Sequence, residues 1–141
     1  ITGASHGIGR AIAKKLSKKY HIINIDIVEN KMDKVDFYKC DLSDKSKLLK
    51  TIEKIKTNID SLYALINNAV LFSSKSLEKQ TLEEWENIIS INLTAPYILS
   101  KEFASMLKQS KGHIINISST RASMSESGTE SYSASKEELV L

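Results

Sequence analysis

Thr2-Gly3-Ala4-Ser5-His6-Gly7-Ile8-Gly9 decides the fold through what lies on either side of it. Downstream, Ile8, Ile12 and Leu16 recur every four residues and share one face of an amphipathic helix running to about Lys19. Upstream, Ile1 reads as the last residue of a strand entering a turn. Within the turn, Gly3 permits the tight bend, Gly7 lets the backbone approach a phosphate, and Gly9 lets helix and strand pack closely. The free N–H groups and positive dipole end of the helix then face the anion. A strand, a glycine loop and a helix in this order open an α/β domain that binds phosphate.

The rest of the chain continues the alternation. Ile22-Ile23-Asn24-Ile25 reads as a strand ending at Asp26, and Val35 to Cys40 as a second strand. Ser43 or Asp44 can cap a helix whose stripe of Leu48, Ile52 and Ile55 faces a core. Leu62 to Ile66 is a strand broken by Asn67-Asn68. Thr81 and Glu84 form a capping box that launches a helix through Trp85, Ile88 and Ile89. Pro96 suits a kink or the first turn of a new helix towards Leu107. His113 to Ile117 is an apolar strand, Ser118 to Ser131 a Ser-rich loop, and a last helix starts near Tyr132. Strands separated by crossover helices predict a doubly wound α/β domain, a parallel sheet covered on both faces.

Asp26 lies 17 residues after Gly9, at the carboxyl end of the next strand. A carboxylate there accepts hydrogen bonds from adenosine ribose hydroxyls and repels a 2′-phosphate, which favours NAD over NADP. His6 brings no permanent charge to hold such a phosphate. Tyr132 and Lys136, four apart, share one helix face, where an ammonium stabilises a phenolate and makes Tyr usable as an acid/base. With Lys this frequent, chance alone supplies such pairs, and Tyr97 with Lys101 is a second one. The first pair has Ser119 thirteen residues upstream, just past a strand end, where a hydroxyl can orient a substrate carbonyl. The second has Glu84 at that distance, inside a helix, and reads as surface and packing residues.

Composition narrows the class. The 141 residues are 41% hydrophobic with one Pro and five Gly, which fits one globular domain and excludes collagen or a low-complexity tail. Cys40 stands alone, so no internal disulfide forms; it reads as an inert buried thiol, and the expected compartment is the cytoplasm. No run approaches the roughly 18 apolar residues of a membrane span. The net charge of +3 is spread over amphipathic stretches, which argues against nucleic acid as a partner. His6, His21 and His113 are far apart, so no metal is expected.

Taken in order, the chain resembles the short-chain dehydrogenase/reductase family, in its shorter-chain oxidoreductase branch. The resemblance rests on Thr2-Gly3-x-x-x-Gly7-Ile8-Gly9, Asp26, Asp41-Leu42, Asn67-Asn68-Ala69, Asn92, Gly112 to Ser119, and Tyr132-Ser-Ala-Ser-Lys136. It implies a Rossmann fold over residues 1–141 and an NAD(P)-dependent oxidoreductase moving a hydride between nicotinamide and a carbonyl/alcohol pair. Tyr132 would be the acid/base, with Ser119, rather than Ser118, on the reacting oxygen. Lys136 would lower the Tyr132 pKa and bind the nicotinamide ribose, and Asn92 would hold a water of the proton relay. Gly3, Ser5, His6, Gly7, Ile8, Gly9, Asp26, Asp41, Leu42, Asn68 and Ala69 complete the expected cofactor set, for NAD with NADP as the alternative. The expected partners are a small alcohol or ketone and further copies of the chain, in a homodimer or homotetramer.

Three departures stand out. Val70 replaces the usual Gly after Asn67-Asn68-Ala69, and a β-branched residue resists positive φ, so a different turn is expected there. Tyr20 stands where a helix-ending Gly is usual. The chain opens on Ile1 and stops at Val140-Leu141 in what reads as mid-helix, so it is expected to be a piece lacking most of the first strand and the substrate-covering segment. Two other readings remain: an epimerase or dehydratase with bound NAD, which the glycine spacing disfavours, and a non-catalytic dinucleotide-binding regulator, which the full set Asn92, Ser119, Tyr132 and Lys136 disfavours.

Overall fold

Ile1–Gly3 runs up the middle of a parallel sheet. The computed structural model describes residues 1–124 and 126–137. On one side of Thr2, the Gly3 N–H donates to the Ile25 carbonyl at 2.9 Å and the Ile25 N–H to the Ile1 carbonyl at 3.0 Å. On the other side, the Thr2 N–H donates to the Ile66 carbonyl at 3.0 Å. This segment joins two parallel pairs, β1 (Ile22–Asp26) with β2 (Val35–Lys39) and β3 (Ala64–Asn67) with β4 (His113–Asn116). The resulting order is β2, β1, Ile1–Gly3, β3, β4. Strand order therefore reverses beside the glycine loop, and the crevice outside the strands' carboxyl ends opens there.

Helices cover both faces. α2 (Lys45–Asn58) and α4 (Ala95–Gln109) bury Leu48, Ile52, Ile55, Leu99, Phe103 and Leu107 against Ile25 and Leu65. α1 (Gly7–Leu16) closes the opposite face with Ala13 over Ile22, Leu16 and Val35 packing alongside. The doubly wound α/β class expected from sequence is what forms. α3 (Leu82–Ile89) starts at the predicted capping box, with the Thr81 side chain accepting from the Glu84 N–H and the Glu84 carboxylate from the Thr81 N–H. Asp44, not Ser43, caps α2, accepting from the Lys47 N–H at 3.0 Å.

Several boundaries differ from the sequence reading, each for a local reason. α1 ends at Leu16 instead of Lys19, because the Leu16 carbonyl takes both the Lys19 and Tyr20 N–H groups at 2.9 Å in a tightened final turn that needs no Gly. β3 begins at Ala64, the residue paired with His113, rather than at Leu62. Between α3 and α4, Ser90–Thr94 widen into a π-helical turn, and Pro96 follows in the first turn of α4, where its missing N–H costs little. β1 and β2 are connected by residues 27–34 without any helix. α5 (Glu130–Glu137) begins just before Tyr132; the expected helix through Val140-Leu141 and Ser125 of the Ser-rich loop lie outside the described residues.

Candidate active site

The site begins with the glycine loop. Gly3 has φ +68° and lies so close to β3's end that a Cβ would come within 2.8 Å of the Ala69 Cα. A Cβ on Gly9 would lie 2.3 Å from the Gly3 carbonyl oxygen, so only Gly lets α1 approach the strand. Asn68 stitches the two segments, its Nδ2 donating to the Thr2 and Gly3 carbonyls, both at 3.0 Å. In return Thr2 Oγ1 accepts the Asn68 and Ala69 N–H groups, also at 3.0 Å. His6 precedes α1 in extended conformation without a side-chain cap, and no acidic residue occupies the first turn. The helix start is therefore electropositive and open, and nothing lies within 4 Å of where a Cβ on Gly7 would stand.

A cleft of about 750 Å³ runs from this loop across the carboxyl ends of the strands. Gly3, His6, Gly7, Ile8, Asp26, Asp41, Leu42, Asn68 and Ala69 line it, and so do Ser119, Tyr132 and Lys136. Asp26 reaches it with a carboxylate steadied by the Ser5 N–H at 3.0 Å and the Ile27 N–H at 2.7 Å, one on each oxygen. A carboxylate accepts about four hydrogen bonds, so Asp26 can still take hydroxyl donors. Asp41 curls onto its own turn, accepting the Ser43 N–H at 2.9 Å and hydroxyl at 2.7 Å.

At the other end, Ser119 precedes a 3-10 turn, Thr120–Ala122, and its Oγ accepts the Arg121 N–H at 3.2 Å. That leaves its own proton to donate. α5 presents Tyr132 and Lys136 on one face. The Lys136 ammonium is 5.9 Å from the centre of the Tyr132 ring and donates to the Ile117 carbonyl at 2.7 Å. Lys136 is buried, and burial pushes its pKa below the ordinary lysine value. The Phe72 ring meets Tyr132 edge-on at 5.0 Å. Tyr97, of the second Tyr/Lys pair, is 66% exposed on α4 and takes no part in the cleft.

Three predicted residues sit behind the cleft wall. Ser5 and Gly9 belong to the packing of the loop. Asn92, fully buried in the π-helical turn, donates through Nδ2 to the Leu71 carbonyl at 2.9 Å and Ser135 Oγ at 3.0 Å. Its Oδ1 accepts the Leu71 N–H at 2.8 Å. Ser135 in turn donates to the Tyr132 carbonyl at 2.7 Å, so Asn92 braces α5 and the segment following Ala69 together.

The sequence marks Val70 as a departure and gives no site role to Leu71, Ile91 or Ile117, yet all four line the cleft. Apolar residues just past a strand end, or in a helical turn as Ile91 is, carry no signal that separates a wall from a core. Val70 avoids positive φ: among the described residues Lys34 and Lys111 are the non-Gly residues that adopt it. Cys40 also reaches the cleft but is 2% exposed, and burial raises its thiol pKa, which suits an inert residue. Among the described residues no cluster of His, Cys, Asp and Glu could hold a metal ion, and no helix is long and apolar enough to cross a membrane.

The family model for short chain dehydrogenases matches residues 1–140. An uncharacterized oxidoreductase of Thermotoga maritima is 41% identical over 154 residues, an alignment covering 99% of this chain and 60% of that protein. The chain thus spans about 60% of the length of this relative. A solved structure of 4-hydroxyisoleucine dehydrogenase with NADH and succinate superposes with a TM-score of 0.92 at 32% identity, over 99% of this chain and 67% of that one. A metagenomic short-chain oxidoreductase in complex with NADP matches with a TM-score of 0.85 at 30% identity, over 96% and 67%.

Proposed function

The chain belongs to the short-chain dehydrogenase family, and on that premise we propose that it is the cofactor-binding and catalytic part of an NAD(P)-dependent oxidoreductase acting on a small alcohol or ketone, with NAD preferred. One observation carries the reading: a single cleft joins an open helix start, the Asp26 carboxylate and the Ser119, Tyr132 and Lys136 side chains.

The residues present fit a dinucleotide. The open space at Gly7 and the uncapped start of α1 suit a pyrophosphate, and Asp26 suits the adenosine ribose hydroxyls. Asp41 and Leu42 would border the adenine, and Asn68 with Ala69 the far side of the loop. When bound, nicotinamide supplies or takes the hydride. Ser119 donates its free hydroxyl proton to the substrate oxygen and holds it near Tyr132. Tyr132 gives its phenolic proton to a forming alkoxide or, as the phenolate, takes the hydroxyl proton of an alcohol. Lys136 stabilises the phenolate by its charge and keeps N–H groups beyond the bond to Ile117 for a ribose hydroxyl. Asn92, behind the cleft wall, keeps α5 in register through Ser135, and the relay water assigned to it rests on the family resemblance alone.

The related structures with NADH and NADP support the cofactor class. The inert Cys40 supports a reducing cytoplasm, and the family resemblance supports a homodimer or homotetramer, which light scattering on the full-length protein tests. The functional test follows nicotinamide absorbance over a panel of alcohols and ketones. Turnover in the full-length wild type that Tyr132→Phe abolishes is the expected result. Undiminished turnover in that variant overturns the role of Tyr132.

A further inference from the structure

The connector from β1 to β2 has eight residues, 27–34, and no helix, where neighbouring parallel strands ordinarily need a crossover of about a dozen or more residues. This short connector is tied to the glycine loop at Ser5. Ser5 is fully buried, and β1 and the connector engage every polar group it has. Its N–H donates to Asp26 Oδ2 at 3.0 Å, and its carbonyl accepts from Asn30 Nδ2 at 2.8 Å. Its hydroxyl donates to the Val28 carbonyl and accepts from Asn24 Nδ2 at 3.0 Å. Ser5 lies midway between Gly3 and Gly7, whose φ values of +68° and +52° shape the turn. A turn built on two such residues keeps its shape through what surrounds it.

We infer that Asn30 is a positioning residue for dinucleotide binding, acting through Ser5: its carboxamide clamps the connector to the glycine loop and fixes the spacing between the loop N–H groups and the Asp26 carboxylate. The inference rests on the dinucleotide reading of the cleft. Asn30 does not line that cleft, so its effect on affinity passes through the loop. The clamp needs a donor, because Ser5 offers a carbonyl; an isosteric carboxylate would repel it. Losing one such hydrogen bond is expected to weaken binding about 3- to 10-fold.

The test measures Kd for NADH and for ADP-ribose by titration of the full-length protein, with the melting temperature alongside. Asn30→Ala and Asn30→Asp should both weaken the two ligands by the same factor, Asp at least as much as Ala, while melting temperatures stay close to wild type. A role in packing alone would leave Asn30→Asp like wild type, and that result, or unchanged affinity in both variants, overturns the clamp. Wild-type protein that binds neither NADH nor NADPH overturns the dinucleotide reading and the clamp with it; wild-type binding with indifferent variants overturns the clamp alone.

Discussion

The two ends of the cleft are held in place by different means. The end assigned to phosphate is built from neighbours in sequence, Thr2 to Gly9, which pack closely because Gly3 and Gly9 carry no side chains, and Asn24, Asp26, Asn30 and Asn68 steady that loop from outside. The catalytic end is assembled from distant segments by side-chain hydrogen bonds: Asn92 to Leu71 and Ser135, Ser135 to Tyr132, Lys136 to Ile117. The loop should therefore be the end most sensitive to crowding and the Tyr132 end should fail chiefly through lost bonds, so binding and chemistry should be separable by mutation.

The largest separation is expected at Tyr132. Tyr132→Phe removes the proton donor and keeps the ring against Phe72, so kcat should fall about 10²- to 10⁴-fold, the range of general acid–base catalysis. NADH affinity, read by fluorescence titration, should change little. Gly9→Ala attacks the other end. Its methyl meets the Gly3 carbonyl, and overpacking of this kind costs about 1–3 kcal/mol, so NADH binding should weaken roughly tenfold or more. If Gly9→Ala binds NADH normally, the loop is not the tight contact described.

Asn92→Ala comes next. It strips three hydrogen bonds from a buried site and should destabilise the protein by about 2 kcal/mol, since buried groups left unpaired cost roughly 1–3 kcal/mol. Thermal melts should show the loss, with kcat falling more than cofactor affinity because α5 and the segment after Ala69 lose their shared brace. Asp26→Ala is expected to improve NADP binding over NAD several-fold, by removing repulsion of the 2′-phosphate. Parallel Kd measurements for the two cofactors check this, and an unchanged preference contradicts the role given to Asp26.

The smallest effect concerns pH and stability. Burial lowers the Lys136 pKa in the folded state below the ordinary 10.5. Between those two values the unfolded chain binds the extra proton, so stability should rise with pH there; below the folded value the cost of the buried charge is present in full. Melting temperature against pH should therefore climb more steeply on the alkaline side in wild type than in Lys136→Met. Parallel curves would mean that the ammonium is not held at a cost.

The contrast also explains what the sequence could reveal. The glycine loop, Asp26 and the Thr81–Glu84 capping box were legible because each is a local pattern whose geometry follows from residue type and spacing. The Tyr132–Lys136 pair was legible as a helix face but became distinctive only with Ser119 thirteen residues away. What stayed hidden depends on non-local partners. Nothing near Ser5 announces that its hydroxyl meets Val28 and Asn24, and nothing near Asn92 names Ser135, 43 residues on. The helix-free connector was equally silent, because residues 27–34 carry no periodicity to read.

The central claim is that one cleft binds a nicotinamide dinucleotide and places its reactive end beside Tyr132. Single-turnover hydride transfer and NADH Kd, measured together on full-length wild type and Tyr132→Phe with an alcohol or ketone that the wild type turns over, test it most directly. The account predicts a Kd close to wild type and a rate at least about 100-fold lower in the variant. A variant that transfers hydride at the wild-type rate would contradict it.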